Sequence, residues 1–275
     1  MSASPVLPVK SQATDLPALL FLEGTYCTMH DWLPTLSALV ASVSAAANAT
    51  SSSRSSAAKT GAATADTPTT DARHGLRWAA IDWRSHGQSD DVAAGFTLND
   101  LATDTLSAID QLQLDRPILV GHSLGGMAAL QAATREPAKV SALVLLEGWI
   151  IGRSADAAFE GDRTYGQLGS HDIAALQSRD AAGRARFPDA VFQPLTESCA
   201  AFDARPFVQT ADLPIIQVLG AAGRTADTVA KLHIPNRANV DVRWVPGAGH
   251  YLPHERPADV AAACHVMMQR VAESR

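Results

Sequence analysis

Cysteine is scarce: Cys27, Cys199 and Cys264 are the three in 275 residues. They are too few and too scattered for a disulfide framework or a zinc site, which predicts reduced thiols in a cytoplasmic protein with no metal or cofactor. Long runs of one charge are also lacking. Lys and Arg number 22 against 28 Asp and Glu, for a net charge of −6 and a pI near 5.8. Without a basic stripe nothing attracts a phosphate backbone or an anionic lipid surface, so neither nucleic acid nor membrane is an expected partner. Residues 1–16 hold two prolines, one lysine and no continuous apolar core, so they match neither a secretory signal nor a spanning helix. Asn48-Ala49-Thr50 has the form of a glycosylation acceptor, which matters only in an exported chain. Residues 44–75 contain no Val, Leu, Ile, Met, Phe, Tyr or Trp. Such a segment cannot bury enough surface to offset its ordering entropy, and it reads as a disordered low-complexity insertion.

Elsewhere the chain is rich in what a core needs. Hydrophobic residues make up 47% of it, enough for one substantial core, and the length suits a single α/β domain. Residues 18–22, 76–81, 142–146, 215–219 and 240–245 are short apolar runs, most without polar alternation, as strands covered on both faces require. Between them lie helical patterns. Trp32, Leu33, Leu36, Leu39 and Val40 follow Asp31, which is placed to cap them; Leu98, Leu101, Ala102, Thr105, Leu106, Ile109 and Leu112 form a second stripe; and a closing helix runs from Pro257 to about Val271. The alternation predicts a doubly wound α/β fold: a mostly parallel sheet with helices on both faces and ligand sites beyond the carboxyl ends of the strands. Residues 148–213 break the rhythm. They are too long for an ordinary loop and carry Ile150, Ile151, Phe159, Leu176, Phe187, Phe192, Phe202 and Phe207 in helix-like pieces, which predicts a small helical lid over the strand ends.

The chemistry starts at Gly121-His122-Ser123-Leu124-Gly125, a G-x-S-x-G segment between a strand-like run from Ile118 and a helix-forming stretch. In that context the serine occupies a sharp strand-to-helix turn, with glycines where side chains would meet backbone. The Leu124 N–H then lies at the helix start, where unpaired donors and the positive helix end favour an oxyanion. A serine nucleophile needs a base. Among nine histidines, His250 stands out, because it follows the last strand on a Gly-rich loop, 246–249. His86 and His122 read as turn-packing residues.

These segments resemble the α/β-hydrolase superfamily from Ala18 to the carboxyl end, apart from the insertion. The elbow at Ser123, the turn from Asp82 to Ser89, which is similar to the family's D-x-R-x-H-G-x-S, and the late histidine loop carry the likeness. The family's early H-G-x oxyanion loop corresponds here to Glu23-Gly24-Thr25, which implies a second oxyanion N–H from Thr25, or from Tyr26 if the loop is offset. Glu23 replaces the family's histidine, and a loop salt bridge is expected for it. The acid that the family usually carries after the strand at 215–219 is missing from Gly220-Ala221-Ala222-Gly223. Some members place it at the end of the preceding strand, where Glu147 stands; Asp227 reads as an exposed helical carboxylate. The resemblance implies a serine hydrolase with catalytic Ser123, Glu147 and His250, acting on a small carboxylic ester, lactone, thioester or amide. Cofactor-independent dioxygenases that cleave N-heteroaromatic rings share the fold and the earlier acid position, and Trp149 and Asp82-Trp83-Arg84 look like that group. A second histidine after the serine, which that group can show, is absent here. A catalytically silent binding protein is the third reading.

Overall fold

A computed structural model describes residues 16–51, 76–152 and 164–275. Six strands, β1 (Leu19–Leu22), β2 (Trp78–Ile81), β3 (Ile118–His122), β4 (Ala142–Leu146), β5 (Ile215–Gly220) and β6 (Val240–Val245), form one sheet in the order β2-β1-β3-β4-β5-β6. Every pairing is parallel. The helices among the described residues are α1 (Leu33–Ser51), α2 (Leu98–Gln111), α3 (Leu124–Arg135), α4 (Ser170–Ala185), α5 (Asp189–Ala201), α6 (Arg205–Thr210), α7 (Ala226–Ala230), α8 (Leu252–Glu255) and α9 (Pro257–Glu273), with short 3-10 turns at Met29–Trp32 and Pro137–Lys139.

Strands β1, β2 and β4 are apolar at every position because both of their faces are covered, whereas β3 and β5 add the buried His122 and Gln217 and the half-buried edge strand β6 carries Asp241 and Arg243. On one face Leu19, Phe21, Ala80, Ile118, Val120, Val144 and Ile216 pack with Leu36, Leu39 and Val43 of α1 and Val260, Cys264, Met267 and Val271 of α9. On the other, Leu20, Leu22, Ile81, Leu119, Leu143 and Leu145 pack with Leu101 and Ile109 of α2 and Met127 and Leu130 of α3. Successive strand residues point to opposite faces, so one apolar run feeds two cores. Thr97 closes the start of α2 as a capping box, with its N–H donating to Asp100 Oδ2 at 2.8 Å and its hydroxyl accepting the Asp100 N–H at 3.3 Å. Strand order reverses between β1 and β3, which opens a crevice at their carboxyl ends.

Two local expectations are corrected. The insertion expected from residue 44 does not begin there: α1 continues to Ser51. Alanine leads the helix propensities, and a helix packed at Leu36, Leu39 and Val43 is continued by the Ala-rich residues that follow. The rest of that expected insertion, 52–75, lies outside the described residues. Asp31 does not cap α1 either. It sits in the 3-10 turn that precedes α1, and its Oδ2 accepts the Thr28 N–H at 2.6 Å. Within the segment expected to form a lid, α4, α5 and α6 follow one another after β4. Phe187 between α4 and α5 and Phe192 of α5 pack on Tyr26 with ring centroids 5.5 and 5.7 Å away, which ties this helical layer to the loop after β1. Residues 153–163, including Phe159, lie outside the description.

Candidate active site

Ser123 is the turn residue between β3 and α3, at φ 53° and ψ −116°. That backbone costs about 1–3 kcal/mol in a residue with a Cβ, and persists only where neighbours over-determine it. They do so here: the Ser123 N–H donates to Leu146 O at 2.8 Å, and its carbonyl accepts from Gly126 at 3.0 Å and Met127 at 3.3 Å. The two elbow glycines are sterically required. A Cβ on Gly125 would lie 2.2 Å from the Leu22 carbonyl oxygen, and one on Gly121 would lie 2.3 Å from that of Gly125. Leu124 is the first residue of α3, where a backbone N–H has no acceptor in its own helix.

A cavity of about 390 Å³ opens over this turn. Ser123, Leu124 and His250 share its wall with Thr25 and Tyr26 of the loop after β1. Met127, Trp149, Phe192 and Leu195 give it an apolar lining, and Asp180 and Tyr251 contribute polar groups. Helices α4 and α5 thus form part of the wall.

His250 sits on the loop after β6, braced on both sides by one carboxylate. Glu255 accepts the N–H groups of Gly249 at 2.8 Å and Tyr251 at 3.1 Å. The His250 N–H donates to Thr164 O at 3.0 Å. Trp149 stacks on the imidazole, with centroids 5.8 Å apart and planes 18° from parallel. His122 supports it from below, its Nε2–H donating to His250 O at 2.8 Å. Burial, and then the neighbouring His250, push the His122 imidazole well below its ordinary value, so it stays neutral, and the Nε2–H bond defines its tautomer. The expected packing role of His122 therefore comes with a place on the cavity wall. His86 is held by its own turn, with Nδ1–H donating to Arg84 O at 3.1 Å and burial pushing it down to about 4.

Glu147 ends β4 at φ 48°. Its Oε2 lies 3.8 Å from His250 Nδ1, and its Oε1 accepts the Gly220 N–H at 2.7 Å. Asp227 is exposed on α7. Arg224, which the sequence reading passed over, donates from Nη2 to Glu147 Oε2 at 2.5 Å. The missing acid in 220–223, followed directly by an arginine, was the one available signal.

Glu23 corrects another expectation, because it forms no salt bridge among the described residues. It is buried, its Oε1 accepts the Trp83 N–H at 3.0 Å and its carbonyl accepts the Trp83 indole N–H at 2.9 Å. Burial first, and then the charge of Asp82, push its carboxyl well above the usual range. Oε2 has no N–H or O–H donor, and Asp82 already accepts from Met29 N at 2.7 Å and Gln88 N at 2.8 Å. A neutral Glu23 sharing its proton with Asp82 satisfies both groups.

A polar chain also went unforeseen. The Tyr251 hydroxyl donates to Asp180 Oδ2 at 2.5 Å, and Arg179 bridges Asp180 at 2.8 Å and Asp31 at 2.5 Å. His254 meets Asp31 at 2.8 Å. It joins α4 of the lid to the turn before α1 and to the histidine loop. Cys27, Cys199 and Cys264 are free thiols, and burial pushes Cys199 up to about 12. Among the described residues no group of three or more His, Cys, Asp or Glu could hold a metal ion, and no helix is long and apolar enough to cross a membrane.

Comparison with known proteins gives the family. The 2-(acetamidomethylene)succinate hydrolase of Mesorhizobium japonicum is 28% identical over 203 residues, 65% of this chain and 73% of the relative. The 2-heptyl-3-hydroxy-4(1H)-quinolone dioxygenase of Mycobacteroides abscessus is 33% identical over 76 residues, 27% of this chain and 28% of the relative. Other curated relatives at 41% and 42% identity also align over 76 residues, only 27% and 29% of their own length. Among solved structures, the enol-lactonase of Burkholderia xenovorans LB400 superposes with a TM-score of 0.61 at 17% identity, covering 97% of this chain and 95% of that one. That likeness concerns the fold. The sequence profile of the alpha/beta hydrolase family matches residues 61–263. With that match and this sheet order, the chain belongs to the alpha/beta hydrolase family.

Proposed function

We propose that the protein is a serine hydrolase that cleaves a small carboxylic ester, lactone, thioester or amide through an acyl-enzyme at Ser123. The observation that carries this reading is the strained Ser123 turn, which faces the same cavity as a histidine whose Nδ1 lies 3.8 Å from a buried carboxylate. With Nδ1 turned to Glu147, Nε2 is left for the serine hydroxyl. His250 takes that proton as Oγ attacks the acyl carbon. The oxyanion is received by the N–H groups of Leu124 and Thr25, and the imidazolium gives its proton to the departing alcohol, thiol or amine. Water, deprotonated by the same imidazole, then attacks the acyl-enzyme and releases Ser123. A cavity of about 390 Å³ with a mostly apolar lining suits a small acyl group. The free thiols, two of them buried, support a reducing, cytoplasmic setting.

A fluorophosphonate probe followed by peptide mass spectrometry tests the mechanism. Labelling at Ser123 is expected, together with loss of ester or lactone turnover by at least ~10³-fold in Ser123→Ala. Unchanged turnover in that variant excludes an acyl-enzyme.

The stacking of Trp149 on His250 and the acid after β4 favour one second reading, cofactor-independent dioxygenase chemistry on a flat heteroaromatic ring. Oxygen uptake on 2-heptyl-3-hydroxy-4(1H)-quinolone that survives Ser123→Ala would select it.

A further inference from the structure

Arg224 follows β5 in a loop that folds back at Gly223, where φ is +60°. Its Nε donates to Gly220 O at 2.7 Å while its Nη2 holds Glu147 Oε2 at 2.5 Å. The Gly220 N–H takes the other carboxylate oxygen at 2.7 Å. Glu147 is thus gripped by one short loop from both oxygens, with only 5% of the Arg224 side chain and 1% of the Glu147 side chain exposed. The oxygen nearest His250 is the one Arg224 holds, and the imidazole stands off at 3.8 Å. A chain carrying its acid on the loop after β5 has no use for an arginine there. Here the acid comes from β4, and the cation occupies the loop.

We infer that Arg224 is a positioning residue for the acid. It keeps the Glu147 carboxylate from closing on His250 and takes up part of its charge, which weakens the pull of that carboxylate on the imidazole Nδ1–H. This rests on the triad reading above. Among the described residues, the titratable and hydroxyl groups that face His250 are Glu147 directly after β4, His122 from β3, Tyr251 from its own loop and Ser123 at the elbow. Beyond them in the cavity are Asp180, bonded to Tyr251, and the thiols Cys27 and Cys199. His122 is held neutral and Tyr251 is pushed up by burial, so neither changes charge around neutrality. Among the described residues, the Arg224–Glu147 pair is therefore a charged element set against the imidazole.

The test follows the His250 imidazole by carbon-13 NMR, assigned with His250→Asn, alongside the pH dependence of fluorophosphonate labelling. Wild type, Arg224→Met and Arg224→Lys are compared, each with and without Glu147→Gln. In Arg224→Met the carboxylate is released towards His250. The imidazole midpoint and the acid limb of labelling should rise by about one pH unit, making labelling up to about tenfold slower below the limb. Arg224→Lys keeps the charge and should shift less than half as far. The Met shift should also fall by more than half in the Glu147→Gln background. An unchanged midpoint overturns the inference, and so does an equal shift in both backgrounds, since Arg224 would then act through its own field and not through Glu147. If Arg224→Met does not fold, the lysine variant decides: a midpoint displaced as far as one pH unit despite the retained charge is against the inference. Absence of label at Ser123 in a wild type whose imidazole titrates as expected removes the hydrolase reading alone.

Discussion

Single carboxylates carry the most at the residue scale. Glu147 and Asp227 are the two acids near the strand ends that the sequence offered for His250, and their surroundings differ sharply. Glu147 is buried, hydrogen-bonded and 3.8 Å from the imidazole, whereas Asp227 is exposed on α7. Glu147→Gln should lower turnover by ~10²–10⁴-fold with substrate binding retained, and Asp227→Asn should change it little; the reverse ranking in steady-state kinetics would reassign the acid. Glu23 makes a different prediction, about stability. Its folded-state value is raised above the usual 4.5, because burial and Asp82 favour the neutral form. The stability tied to that neutral form is fully present below about pH 4.5 and is lost as pH rises through the folded value, at about 1.4 kcal/mol per pH unit. Glu23→Gln keeps an acceptor for Trp83 and can donate to Asp82 at every pH. Its melting temperature should match wild type near pH 4 and exceed it increasingly as pH rises. A pH-independent difference would show that Glu23 is not the neutral partner.

Between elements, the contact with most at stake joins α4 to the turn before α1. Burial raises the Asp31 carboxyl, but the His254 hydrogen bond and the Arg179 charge together outweigh it and hold the group below its usual range. Removing Arg179 leaves Asp31 and Asp180 facing each other, largely buried, without the cation between them. Arg179→Met should cost about 2 kcal/mol, less than a fully buried pair because about a fifth of the side chain is exposed, at 21%. It should also loosen α4 over the cavity, read as a raised KM and faster proteolysis within 170–185; wild-type values for both would remove the anchoring role. Elements were legible to different degrees. Strands β1, β2 and β4 could be read from apolar runs alone, since a strand covered on both faces has no polar position to confuse the pattern. The end of α1 is not visible in apolar spacing, because the residues after Val43 carry helix propensity in alanine without any large apolar side chain. Asp31 was misplaced for a related reason: a 3-10 turn ahead of a helix looks like the helix itself in a pattern of apolar spacing.

For the molecule as a whole, residues 52–75 are compositionally unable to supply core. Replacing them with about ten Gly and Ser residues, enough to return from the far end of a 19-residue α1, should leave the melting temperature within a few degrees of wild type. A large drop by calorimetry would show that the segment packs on the domain. The replacement starts at 52, because α1 occupies the chain to Ser51. The sequence by itself determined the architecture and the elbow. Alternation of apolar runs with amphipathic stripes follows from local periodicity, and a serine between glycines after a strand is a backbone requirement contained within five residues. The places of Glu147, directly after β4, and of His250, on the Gly-rich loop after β6, were legible as well. What only the tertiary structure decided are the meetings of distant side chains: Arg224 with Glu147, Arg179 with Asp31, and neutral Glu23 with Asp82. These depend on which strand ends lie side by side and on how much water is excluded between them. A carboxylate reads the same in sequence whether it is paired, exposed or protonated, and only the low-dielectric packing around it selects among those states.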